Sequence, residues 1–129
     1  MHALIIEPQA LTAFMIEDAL RDIGYDSIAF ASGQEDAVSA AEACPPDLVT
    51  AAVQLSAGCG ISAVEAICAR SKPRIVFITQ SVREVRRRIR DATIVRKPFG
   101  TVDLVAAIAA DPAERPGPRA APTVETVPA

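Results

Sequence analysis

The feature that most restricts the fold of this chain is an alternation, repeated five times within the first 110 residues, between a short apolar run and a segment of helical periodicity. The runs are residues 3–6 (ALII, ending at Glu7-Pro8), Ser27–Ala31, Leu48–Leu55, Arg74–Thr79 and Thr93–Arg96, all of strand length. The run at 74–79 is apolar through Ile75, Val76, Phe77 and Ile78, as in a strand covered on both faces. After the first run, Leu11, Phe14, Met15, Ala19 with Leu20, and Ile23 recur at helical spacing opposite Glu17, Asp18, Arg21 and Asp22. That pattern predicts a helix burying the first set and ending at Gly24. Further helices are predicted over Glu35–Ala43, stopped by Pro45-Pro46, over Ile61–Arg70, from Val82 to about Asp91, and over Thr101–Ala110 with Thr101 as its N-cap.

Five such units predict an α/β domain: a doubly wound (βα)5 fold of the flavodoxin-like kind, parallel strands in the order 2-1-3-4-5, helices on both faces. Its crevice lies at the carboxyl ends of the strands, so Glu7-Pro8, Ala52-Val53, Thr79-Gln80 and Lys97 are the residues expected to meet a ligand. Residues 111–129 hold five of the ten prolines and no run of large apolar side chains. They are expected to form a disordered Pro/Ala-rich tail after a folded domain at 1–110.

Twenty-five alanines and only five aromatic residues predict an aliphatic, tightly layered core and exclude an aromatic platform for nucleic-acid bases. No apolar run approaches the roughly 18 residues that span a bilayer, and Met1-His2 leads straight into a strand; a soluble, cytoplasmic protein is expected. Cys44, Cys59 and Cys68 are odd in number and lack C-x-x-C spacing, against a disulfide framework or a zinc site. Cys59 has no neighbouring charge in sequence to activate it. His2 is the only histidine and sits at the terminus, so no Ser-His-Asp or Cys-His machinery is available and the chain is not expected to be an enzyme.

Charge is segregated. Residues 1–69 carry a net −9, and residues 70–97 carry +8, concentrated in SVREVRRRIRD. On that helix Val82, Val85 and Ile89 are expected to face the core while Arg83, Arg86, Arg87 and Arg90 project outward. Such a face suits an acidic protein partner. Nucleic-acid binding is disfavoured by the overall charge of −3, the scarce aromatics and the lack of a helix-turn-helix. Gly58-Cys59-Gly60-Ile61-Ser62-Ala63 fits G-x-G-x-x-A between strand and helix, but the acid that binds the ribose is missing where Thr79-Gln80-Ser81 stands, which weakens a dinucleotide reading.

The segments LIIEPQ, PPDLVTAAVQL, PRIVFIT and VRKPF, in that order, resemble the signature strands of the response-regulator receiver domain, over about residues 2–110. In that family an acidic pair after strand one and an aspartate ending strand three hold Mg²⁺ and accept a phosphoryl group from a histidine kinase. A hydroxyl after strand four and a lysine after strand five bind its oxygens. Carried over residue by residue, Glu7 matches the first acid, and Pro8 falls where the direct metal ligand stands. Ala52 falls at the acceptor position, and Thr79 and Lys97 match the hydroxyl and the amine. Ile94, three residues before the lysine, takes the place of the switch aromatic, so Thr79 and Ile94 mark the switch. The resemblance also implies a cis Lys97-Pro98 bond and a docking or dimerising face around helix four, trimmed here because Thr79 and Lys97 are closer than the family usually has them.

A methyl group cannot be phosphorylated, and one carboxylate is a poor Mg²⁺ site, so no cofactor is expected and Mg²⁺ binding should be weak or absent. Asp47 cannot substitute, being about 16 Å of strand rise from Ala52, at the other end of the sheet. The sequence thus predicts a stand-alone pseudo-receiver, followed by no output domain, that binds proteins without phosphorylation in bacterial two-component phosphorelays. Its partner would be a histidine kinase, a response regulator, another signalling protein or a second copy, met through the arginine face. The alternative is a receiver still controlled by phosphorylation at a non-standard residue such as Glu7, or by another ligand.

Overall fold

The structure, a computed structural model, describes residues 1–110; the expected tail at 111–129 lies outside the described residues. Five strands, β1 (His2–Ile6), β2 (Ser27–Ala31), β3 (Leu48–Ala51), β4 (Arg74–Thr79) and β5 (Thr93–Arg96), form one parallel sheet in the order β2-β1-β3-β4-β5. They alternate with α1 (Ala10–Ile23), α2 (Gln34–Ala43), α3 (Gly60–Cys68), α4 (Val82–Arg88) and α5 (Thr101–Ala109). This is the flavodoxin-like (βα)5 fold that the alternation predicts.

Both faces of the central strands are buried because successive side chains point to opposite sides. Leu4, Ile6, Val49, Ala51, Phe77 and Ile94 pack with α2, α3 and Val85 of α4. Ala3, Ile5, Leu48, Val76, Ile78 and Val95 pack with Ile16 and Leu20 of α1 and with Leu104 and Ile108 of α5.

Several local expectations are corrected. On α1 the buried stripe is Ala13, Ile16, Ala19 and Leu20, whereas Leu11, Phe14 and Met15 are exposed. Both stripes have helical spacing; the small side chains of Ala13 and Ala19 let the helix seat close against the sheet, and the large ones are left in solvent. Strand β3 ends at Ala51, four residues short of Leu55, because the chain is drawn toward the β2–α2 turn. There the Ser56 amide donates to Ser32 O (2.9 Å), the Gln34 amide to Ala57 O (2.8 Å) and the Cys59 amide to Gln34 Oε1 (2.9 Å). The N-cap of α5 is Gly100 rather than Thr101, and its amide donates to Asp103 Oδ2 at 2.9 Å. Helix α4 stops at Arg88 rather than near Asp91, where Ile89 turns extended (φ −133°, ψ 95°) to pack on the core. The Lys97-Pro98 bond is cis, as the resemblance implied.

Candidate functional site

The carboxyl ends of β1, β3, β4 and β5 converge on a cleft of about 330 Å³ lined by Glu7, Pro8, Ala52, Val53, Thr79 and Lys97, together with Gln9, Gln54, Gln80 and Ser81. Parallel strands make this convergence unavoidable, since each releases its chain on the same edge. The ladder sets the spacing: the Ala52 amide donates to Ile6 O at 2.9 Å, and the Lys97 amide to Thr79 O at 3.1 Å.

Within the cleft the charges are already matched. Lys97 Nζ lies 3.1 Å from Glu7 Oε1, and the Gln9 amide donates to Glu7 Oε2 at 3.2 Å. The Glu7 side chain is 1% exposed and that of Lys97 24%, so the carboxylate is desolvated and compensated by one ammonium and one amide. Both carboxylate oxygens are engaged, which leaves Glu7 poorly placed as a nucleophile. Thr79 Oγ1 accepts the Ser81 amide at 2.8 Å, a local hydroxyl-to-amide turn that holds it at the strand tip. Ala52, 5% exposed, contributes a methyl to the floor. Pro8 carries no oxygen in its side chain. Among the described residues no group of three His, Cys, Asp or Glu side chains is placed to hold a metal ion.

All five predicted cleft residues, Glu7, Pro8, Ala52, Thr79 and Lys97, therefore meet. Ile94 does not reach the cleft: it is fully buried in the cluster that contains Phe77, Val85 and Ala92. Of the glutamines at the rim, Gln80 was expected from the sequence, whereas Gln9 and Gln54 were not singled out. Thr79-Gln80-Ser81 did carry a signal, a hydroxyl two residues before an amide just past a strand.

The arginine face is more selective than the helical pattern suggests. Arg83, Arg87 and Arg90 are exposed, as predicted. Arg86 instead folds back and donates to Arg90 O (3.3 Å) and Ala92 O (3.1 Å), closing the end of α4, so it is corrected from a projecting residue to a helix-terminating one. The carbonyls it meets belong to the loop that follows α4, so the side chain ties the helix end to the start of β5. Arg88, not predicted, is exposed and paired with Glu65 of α3.

The G-x-G segment is explained by sterics. Gly58 has φ 88°, and a side chain on Gly60 would enter the backbone of Ala52. Gly60 serves the close approach of α3 to the end of β3 and Gly58 the turn against Gln34, and neither lines the cleft that holds the carboxylate–ammonium pair.

Comparison with known proteins agrees with this geometry. Residues 3–109 match the response regulator receiver domain family. The chain is 36% identical over 111 residues to the transcriptional regulatory protein PdtaR of Mycobacterium tuberculosis, covering 83% of this chain and 54% of PdtaR. It thus spans about half the length of the curated relatives it matches. The solution structure of the PhyR receiver domain from Erythrobacter litoralis superposes with a TM-score of 0.80 at 29% identity, over 93% of this chain and 95% of that one. The response regulator PhyR of Brucella abortus gives 0.76 at 29% identity, over 84% of this chain and 46% of that one. No helix among the described residues is long and apolar enough to cross a membrane.

Proposed function

The chain belongs to the response regulator receiver domain family of two-component signalling, and from that premise we propose that it is a receiver without a phosphoryl acceptor, docking a protein partner through Arg83, Arg87 and Arg90. Receiver domains are signalling modules that act through other proteins. The observation that carries the proposal is the Ala52 methyl on the floor of the cleft, beside a Glu7–Lys97 pair that consumes the remaining charges. A methyl offers no oxygen for phosphoryl transfer, and one carboxylate already bound to lysine supplies too few hard ligands for Mg²⁺, which wants near-octahedral oxygen coordination.

Ile94 extends the same logic to the readout. Its aliphatic side chain joins β5 to α4 through Val85 and has no hydroxyl to draw it toward solvent. The α4 surface is then held in one arrangement whatever the cleft contains. An amide NMR titration with Mg²⁺ and then beryllofluoride tests this: resonances of Glu7, Ala52, Thr79 and Lys97 should stay in place at millimolar ligand. Saturable shifts that spread to α4 would sink the proposal and favour a ligand-operated receiver.

The partner is a protein with an acidic docking surface, since exposed guanidinium groups form paired, directional hydrogen bonds with carboxylates. Reversing Arg83, Arg87 and Arg90 to glutamate should weaken that complex by at least ~100-fold, because like charges then face each other. Binding should also fall as salt rises, chiefly through slower association. Unchanged affinity in the triple variant would remove the face from the proposal.

A further inference from the structure

We propose that two copies of this chain pair through the open edge of β2, a surface distinct from the arginine face. Among the described residues strand β2 ends the sheet and has only β1 beside it. The Glu7 amide donates to Ala31 O at 2.9 Å, so the backbone of Ala31 faces β1. Alternation along the strand turns Ala29 and Ser27 the same way and points the N–H and C=O groups of Ile28 and Phe30 outward, away from the sheet. Exposed edges are ordinarily protected by a charge, a proline or a bulge. The segment SIAFA has none of these.

Side chains extend the same surface. Phe30 is 47% exposed and meets Phe14 of α1 edge-on, with ring centroids 6.5 Å apart and planes at 85°. Leu11, Phe14 and Met15 are exposed at 79%, 56% and 46%, which is the α1 stripe that the core leaves out. Edge and helix together make one apolar patch of the kind that marks an interaction surface.

The occupant follows from symmetry. An antiparallel two-fold centred on Ala29 sets Ile28 opposite Phe30 of the second copy, and Phe30 opposite its Ile28. All these residues have outward backbone groups, so both positions become hydrogen-bonded pairs. The same register makes two β-branched–aromatic contacts on the α1 face, the cross-strand combination that stabilises sheets. It also places Asp26 opposite Ser32 of the second copy, so the acids at the strand entry do not confront each other. Sliding by one residue would set an outward backbone against an inward one. Sliding by two residues restores the backbone match but sets Phe30 opposite Asp26 or Ile28 opposite Ser32 of the second copy, so only the register centred on Ala29 gives both outward residues an apolar partner. The resulting dimer joins two sheets edge to edge and leaves both arginine faces free.

Sedimentation velocity on the full chain from about 5 to 500 μM should show a reversible monomer–dimer equilibrium. Phe30→Lys, which puts a charge on the edge without touching the β1 ladder, should raise the dissociation constant at least tenfold. The Arg83→Glu, Arg87→Glu, Arg90→Glu variant should leave it unchanged. Circular dichroism checks that the lysine variant folds. Should it not fold, amide exchange on the wild-type chain decides instead, because dimerisation must slow Ile28 and Phe30 as concentration rises. A chain monomeric throughout, or a dimer indifferent to Phe30→Lys, overturns the proposal. So does concentration-dependent protection confined to α4 and β5.

Discussion

Gly60→Ala is expected to remove the native fold, as read by loss of the cooperative urea transition and of far-UV ellipticity. A Cβ at this position would lie 1.6 Å from Ala52 O and 2.8 Å from Ala52 C. Both atoms belong to the backbone just past β3, so no side-chain rotation relieves the contact. The Gly60 amide also donates to Val53 O at 2.7 Å, which ties the first residue of α3 to the strand end it would have to leave. Ordinary overpacking costs about 1–3 kcal/mol. A backbone collision at a fully packed junction should exceed ~4 kcal/mol, a value reached only by specific steric or electrostatic failures. Domains of this kind hold about 5–15 kcal/mol in total, so a loss of this size takes most of the stability of one toward the lower end of that range. An alanine variant melting within two degrees of wild type would show that α3 can retreat from β3. Gly58→Ala should be milder: its added carbon meets the Gln34 side chain, which can move, although φ 88° stays unfavourable.

The second large effect is expected at Lys97. Replacing it with methionine keeps the length of the side chain and removes the only cation paired with Glu7 among the described residues, where the Glu7 side chain is 1% exposed. Stranding a buried carboxylate typically costs about 3–5 kcal/mol, and the partial exposure of Lys97 places this site toward the lower end. The double variant Glu7→Gln, Lys97→Met should recover most of the loss, because an amide is far cheaper to bury than an unpaired charge. Urea denaturation of the single and double variants gives the coupling directly. If Lys97→Met costs less than ~1 kcal/mol, the pair is not what holds this end of the sheet together. Recovery in the double variant would show that the two groups serve each other, as the proposed role for the cleft requires.

Much of the fold was legible because its signals are local. The runs at 27–31, 74–79 and 93–96 are strands with the bounds their sequence implies, and the strand order follows from the repeated βα unit. The cleft was legible for the same reason: once five parallel strands are accepted, Glu7, Ala52, Thr79 and Lys97 must end on one edge. Where reading failed, two solutions satisfied the same periodicity. Leu11, Phe14 and Met15 repeat as well as Ala13, Ile16 and Leu20, and size argued for the wrong set. Arg86 shares the outward spacing of its neighbours, yet its guanidinium turns back onto the carbonyls of Arg90 and Ala92 past the end of α4.

By itself, then, the sequence determined the class, the order of elements and which residues crowd the carboxyl edge, because strand length, helical period and chain breakers act over a few neighbours. Tertiary structure alone decided which stripe of α1 is buried, which arginines remain free, that β2 presents Phe30 on an open edge, and that Gly60 can be nothing larger. Each of these depends on how closely two distant segments approach, and that distance is set by packing across the sheet rather than by any residue's neighbours in sequence.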